Sequence, residues 1–112
     1  MITLATLSQA TAQEVFDQVK THLLTQKVRC AEGSACRYRY QGLKCAAGCL
    51  IGDDEYKELF EGQTWKGITG GSHAPHTHYD LIRSLQRIHD NHHPDNWESS
   101  LRSLAIYHDL NY

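Results

Sequence analysis

The sequence predicts a small, mainly α-helical single-domain fold with three main helices, one or two short helices and a short β-hairpin. Three observations lead there. Apolar residues recur at helical spacing in three separate stretches, and two of these follow a capping-box pattern. One passage alternates charged and aromatic residues ahead of a Gln-Gly turn, as a short strand does. With 112 residues and 40% hydrophobic content, the chain supports one modest core and no second domain. Residues 1–112 therefore form one unit, with 1–10 expected to be flexible and 62–78 expected to be loop.

The first helix is expected over Ala12–Gln26. Thr11 and Glu14 supply the reciprocal cap, and Phe16, Val19 and Leu23 make the buried stripe, with His22 and Lys20 on its solvated flank. Glu32-Gly33-Ser34 breaks any apolar period, so Val28 to Ser34 reads as a turn-containing connection. Arg37-Tyr38-Arg39-Tyr40 reads as a strand turned by Gln41-Gly42. Leu43 to Ile51 is apolar and small, as suits a short buried helix in which Gly48 admits a close neighbour. Asp53 is placed to cap a further short helix through Phe60, stopped by Gly62. Leu81, Leu85 and Ile88 mark a helix over Tyr79–Asn91. After the break at Pro94, Asp95 and Glu98 are placed to cap a last helix that carries Trp97, Leu101 and Leu104 and runs to about Asp109.

The net charge of −2 excludes a general nucleic-acid binder, which needs a basic excess to displace counterions from phosphates. No stretch approaches the length of a membrane span, and the first residues lack a basic-then-apolar leader. The expectation is a soluble protein of the cytoplasm, with no membrane contact. Its four cysteines are then reduced thiols or metal ligands rather than a disulfide framework. Only Cys45 and Cys49 have the separation of about two to four residues common in zinc sites, and among Ala46, Ala47, Leu50 and Ile51 they read as buried hydrophobes. His73, His76 and His78 read as members of a solvated loop. No cofactor is expected.

The specialised chemistry concentrates between Cys36 and Tyr56. Arg37, Arg39 and Lys44 lie close in sequence to Tyr38, Tyr40 and Tyr56. Guanidinium groups match phosphate or carboxylate oxygens in a two-pronged geometry, and a phenol ring stacks on a base. Together they suit a small anionic, nucleotide-like ligand. In that reading Arg39 and Lys44 hold phosphate oxygens, Arg37 assists, Tyr38 and Tyr56 stack or hydrogen-bond, and Asp53 contacts a sugar hydroxyl or orients an arginine. The plainer reading pairs the arginines with Asp53, Asp54 or Glu55 and sets the tyrosines along the core edge.

Cys36-x-Tyr38-Arg39, then Gly42-x-Lys44-Cys45-Ala46-x-Gly48-x-Leu50-Ile51-x-Asp53-x-x-Tyr56, and later Leu85-Gln86-x-Ile88-His89-Asp90 with Trp97, resemble a largely uncharacterised family of small phage and mobile-element proteins. The resemblance spans residues 14 to 110. It implies an accessory protein that acts against host defence inside a bacterial cell, and by analogy one that sequesters a nucleotide signal without chemistry. The chain departs from the pattern at the Gly70–His78 insert and at Tyr40, which is bulkier than the family residue.

Two rivals stand beside capture. His89-Asp90 matches the His-Asp dyad of metal-dependent phosphohydrolases, which need further ligands to activate water; His76 or His78 would supply them. Alternatively, exposed tyrosines and tryptophans anchor the protein on a host enzyme and inhibit it. His89 and Asp90 join the candidate ligand-binding residues in either case, and a homo-oligomer that shares a pocket between protomers is expected.

Overall fold

The computed structural model describes all residues, Met1–Tyr112. The order of elements is α1 (Ala12–Gln26), β1 (Ala31–Glu32), β2 (Ala35–Cys36), β3 (Arg39–Tyr40), β4 (Leu43–Lys44), α2 (Trp65–Gly70), α3 (Tyr79–Asn91) and α4 (Trp97–Tyr107). Single 3-10 turns at Leu7–Gln9, Ala47–Leu50, Glu58–Phe60 and Pro94–Asn96 complete the chain. It is a small, mainly helical domain with three main helices and two short antiparallel hairpins.

Helices α1, α3 and α4 pack on one another, and the 47–50 turn seals one end against α1 and α3. Val15, Phe16, Val19 and Leu23 from α1 meet Leu81, Ile82, Leu85 and Ile88 from α3 and Trp97, Leu101 and Ala105 from α4 in one buried cluster. The cap of α1 forms as expected. The Glu14 amide donates to Thr11 Oγ1 at 3.1 Å, and the Thr11 amide donates to Glu14 Oε1 at 2.8 Å. His22 departs from the expected solvated flank: it is half-buried, and its Nε2 meets the Lys44 carbonyl at 2.9 Å, tying α1 to β4. Lys20 lies over the rings of Phe16 and Tyr112.

The Gln41-Gly42 turn joins β3 to β4, pairing Arg39 with Lys44 and Tyr40 with Leu43. Both turn residues have positive φ, 50° and 82°, which matches the right-handed twist of a two-residue hairpin. Gly48 is required for a different reason. A Cβ there would overlap the Tyr38 backbone carbonyl. Gly48→Ala is therefore expected to cost about 1–3 kcal/mol through overpacking, read as a lower denaturant midpoint with an unchanged m-value. An unchanged midpoint would show that the 47–50 turn yields without loss.

Several segments differ from expectation. The 28–34 connection holds the first strand and the turn of the β1–β2 hairpin, whose second strand follows at Ala35–Cys36. Leu43 to Ile51 splits into a strand and a 3-10 turn because its first two residues pair with β3. Asp53 caps no helix and is exposed; Glu58–Phe60 is a lone 3-10 turn instead. Part of the expected 62–78 loop forms α2, started by Thr64, whose hydroxyl accepts from the Gly67 amide. Asp95 does not cap α4: His93 caps the preceding 3-10 turn and Asn96 stands at the helix start without a side-chain bond.

The first ten residues, expected to be free, are tied down. Gln18 accepts from the Ile2 amide, and Glu55 accepts from the amides of Leu4, Ala5 and Gly52 at 2.7–2.9 Å. Burial pushes the Glu55 carboxyl upward, but these amide donors outweigh it and hold the group below its ordinary value of 4.5. A depressed folded-state value means the tether is complete above the usual carboxylate range and is lost as pH falls through the lower folded value. Acidification below pH 4.5 is thus expected to free the Leu4 and Ala5 amides, visible as a collapse of their NMR shifts to random-coil positions. Glu55→Ala, which removes both acceptor oxygens, should show free Leu4 and Ala5 amides already at neutral pH.

Candidate functional site

A cavity of about 840 Å³ lies where one face of α3 meets the 36–38 segment and the 62–66 segment. Helix α3 contributes Tyr79, Arg83, Gln86, Arg87 and Asp90. At 100° per residue these positions span roughly 100° of the helix surface, beside the arc that buries Leu81, Ile82, Leu85, Ile88 and His89. Facing them are Cys36, Arg37, Tyr38, Trp65, Lys66 and His76.

The charge of this wall is lopsided. Asp90 is its one carboxylate, against Arg37, Lys66, Arg83 and Arg87. Arg37 is already matched: its guanidinium sits 2.9 Å from Glu32, 3.5 Å from Glu58 and 3.8 Å from Glu61. Lys66, Arg83 and Arg87 form no ion pair with any carboxylate. Trp65, almost wholly buried on the same wall, keeps an indole N–H without an acceptor. Such a wall attracts an anion and offers it donors.

Cys36 and Asp90 line the cavity and His89 does not, but the three side chains bring their donor atoms within 4.8 Å of one another. His89 is wholly buried and stacks on Trp97 at 5.6 Å. The Cys30 amide donates to its Nε2 at 2.9 Å, so the ring proton lies on Nδ1, which donates to Asp90 Oδ1 at 2.8 Å. Gln86 donates to the same oxygen at 2.8 Å and is itself held by the Ala47 amide. Burial, then the neighbouring Asp90 carboxylate, pushes the Cys36 thiol up to about 11. Cys36 is therefore a protonated thiol rather than a poised nucleophile. A soft sulfur, an imidazole and a carboxylate form a three-ligand set of the kind that leaves a transition metal an open position. His76 lies on the cavity wall, while His73 packs against Phe60 and His78 binds the Ala10 carbonyl at 2.6 Å; none of them joins the set.

The residues singled out between Cys36 and Tyr56 divide. Arg37 and Tyr38 reach the cavity, as does Asp90. Arg39, Lys44, Asp53 and Tyr56 do not line it. Arg39 donates to the Ile51 carbonyl at 2.6 Å and pairs with Asp53 at 2.8 Å, while Lys44 lies 3.7 Å from the same carboxylate. Asp53 is 88% exposed, so this cluster contributes little to stability. Tyr38 donates to the Gln63 carbonyl, and Tyr56 donates to Glu61 at 2.6 Å. Arg39 thus meets Asp53, as the plainer reading held, whereas Arg37 meets Glu32, Glu58 and Glu61, which that reading did not name, and the cations do not converge on one hollow.

Sequence reasoning missed Lys66, Arg83, Arg87 and Gln86. A signal was present for the α3 group, since Tyr79, Arg83 and Arg87 recur every fourth residue and form a polar stripe beside the apolar one. It missed Glu61 as well. This side chain, 11% exposed, accepts from the amides of Tyr38 and Arg39 and from Tyr56, and so fixes the wall that carries Cys36 and Arg37. The tryptophans cannot serve as exposed anchors on a host enzyme, because Trp65 and Trp97 are only 3% and 0% exposed. No helix is long and apolar enough to cross a membrane.

The fold and site place the chain among small helical domains with a polar cavity. Comparison with protein-family models, curated proteins and solved structures finds no match to it.

Proposed function

We propose that the protein takes a phosphate-bearing small molecule into the α3 cavity and hydrolyses it with a divalent transition-metal ion held by Cys36, His89 and Asp90. One observation carries this reading: three potential ligand atoms lie within 4.8 Å of one another, and two of their residues, Cys36 and Asp90, line the same cavity as Lys66, Arg83 and Arg87, which have no carboxylate partner. The cations would hold non-bridging phosphate oxygens and offset charge in the transition state. A metal with an open position supplies hydroxide at neutral pH. The oxygen of water forms a bond to phosphorus, the bond from phosphorus to the leaving oxygen breaks, and a water proton ends on that leaving group.

Loading has a definite consequence for His89. Were a metal held on Nδ1, the single ring proton now given to Asp90 would have to move to Nε2, where it would confront the Cys30 amide. Losing that hydrogen bond costs about 1–3 kcal/mol. Structural zinc binding supplies on the order of 10 kcal/mol, so even a weaker three-ligand site offsets the loss. The same hydrogen bond favours a second reading, in which the Cys36–His89–Asp90 group remains metal-free and the cavity captures its nucleotide-like ligand without turnover.

The test begins with untagged protein dialysed against micromolar zinc or manganese and assayed for bound metal and for phosphate release from nucleotides. One metal per chain is expected, with phosphate release that depends on it and is lost in Cys36→Ser/Asp90→Asn. Retention of nucleotide with no metal and no release would transfer the conclusion to capture. Neither metal nor nucleotide bound would remove both readings.

A further inference from the structure

Arg83 and Arg87 face a second space as well. A smaller cavity of about 350 Å³ lies on the other side of the two arginines, lined additionally by Asp80, Ser84, Tyr107 and His108. Around the α3 axis, Asp80 and Ser84 follow directly on the arc of Arg83 and Arg87, so the two guanidiniums form a ridge between the cavities. Each guanidinium has five N–H donors in a planar fork, and neither residue donates a side-chain hydrogen bond or pairs with a carboxylate. One phosphoryl group on one side of the ridge cannot engage all the N–H edges of both forks.

The far side is itself incompletely satisfied. The His108 Nε2 atom is buried without a hydrogen-bond partner, although the residue lies on the cavity wall. Its ring is set by an edge contact with Tyr107, 5.2 Å between centroids, and Tyr107 is 84% exposed and serves no core. Asp80 is the one carboxylate there, outnumbered by two guanidiniums. The Ser84 hydroxyl adds a further donor beside the ridge.

We infer that the ligand carries two or more phosphoryl groups in a chain and lies across the Arg83–Arg87 ridge, with one group in the α3 cavity and another beside Ser84 and His108. This rests on the reading that the α3 cavity takes an anion, and it narrows the ligand from phosphate esters at large to oligophosphates and phosphodiester-linked nucleotides. A monophosphate fills the first position only. The fork geometry suits the pair, because the coplanar N–H donors point from different edges of the guanidinium and can meet oxygens of adjacent phosphoryl groups.

The two positions separate experimentally with orthophosphate and tripolyphosphate as probes at equal ionic strength. Tripolyphosphate is expected to bind at least about tenfold more tightly, the value of one added charge-assisted hydrogen bond. Its saturation should move the amide signals of Ser84, Tyr107 and His108, which orthophosphate leaves in place. His108→Ala and, independently, Ser84→Ala are expected to reduce the tripolyphosphate advantage about threefold or more while orthophosphate affinity holds. Orthophosphate binding with no response at those three amides and the same ratio in both variants would overturn the ridge. Binding of neither anion would overturn the anion reading of the α3 cavity and this inference with it.

Discussion

Glu61→Ala is expected to lower the stability of the domain by about 4 kcal/mol, the range seen when one partner of a buried charged network is removed. Its carboxylate is 11% exposed and accepts from the Tyr38 amide at 2.9 Å, the Arg39 amide at 3.1 Å and the Tyr56 hydroxyl at 2.6 Å. Alanine leaves these donors without a protein acceptor, and the Arg37 guanidinium loses one of its three carboxylate neighbours. Burial and Glu61 together push the Tyr56 phenol up to about 12, so at neutral pH it remains a donor that must find a new acceptor. For a domain of this size the change corresponds to a Tm lowered by roughly 15–30 °C. Glu61→Gln keeps one oxygen acceptor but turns an amide donor toward the remaining donors, and should fall between alanine and the natural residue. A scanning-calorimetry shift of only a few degrees for alanine would show that the 36–39 wall is held by other contacts.

Arg83→Ala/Arg87→Ala is expected to abolish most anion binding while leaving the fold intact. Hydrogen bonds to charged groups contribute about 1.5–3 kcal/mol each, so removing two guanidiniums should weaken orthophosphate or nucleotide binding by roughly a hundredfold or more. Stability should change by less than about 0.5 kcal/mol, because neither side chain pairs with a carboxylate and the substitution removes two like charges at helical spacing. Calorimetric titration and thermal unfolding of the same preparation read both quantities. Arg39→Ala makes a fitting comparison, since Arg39 is engaged with Ile51 and Asp53 and does not line the cavity. Retained affinity in the double variant, or lost affinity in Arg39→Ala, would move the site back to the hairpin.

The three main helices were legible because each satisfies local and global demands together, whereas the six-residue α2 lies in the stretch expected to be loop. In α1 the Thr11–Glu14 box, the Val15–Leu23 stripe and the boundary at Gln26 coincide with the observed helix. The Gln41-Gly42 turn and the close approach at Gly48 were legible for the same reason: backbone geometry restricts which residues fit. The 31–36 hairpin was hidden because its strands are only two residues long, too short for alternation to emerge.

The candidate site was legible only in pieces. Arg37 and Arg39 were visible as cations, but their partners were set by tertiary folding: Glu58 and Glu61 turn back onto Arg37 and take it out of use as a free charge. His89 and Asp90 were visible as a dyad. Their third companion, Cys36, lies more than fifty positions away and reaches them only because the β1–β2 hairpin packs against the end of α3. Nothing in the spacing of the cysteines pointed to it.

The residues just before that hairpin grip α3 twice. Arg29 donates to the carbonyls of His89 and His92 at 3.1 and 2.7 Å, while the neighbouring Cys30 amide holds the His89 ring. Trp97 of α4 donates to the same His92 carbonyl. The last turn of α3, the approach to α4 and the chain leaving α1 are thereby clasped at one knot, so none of them can fray alone. Hydrogen–deuterium exchange should find the amides of Cys30 and His92 opening as one cooperative unit, at a rate set by wholesale rather than local unfolding.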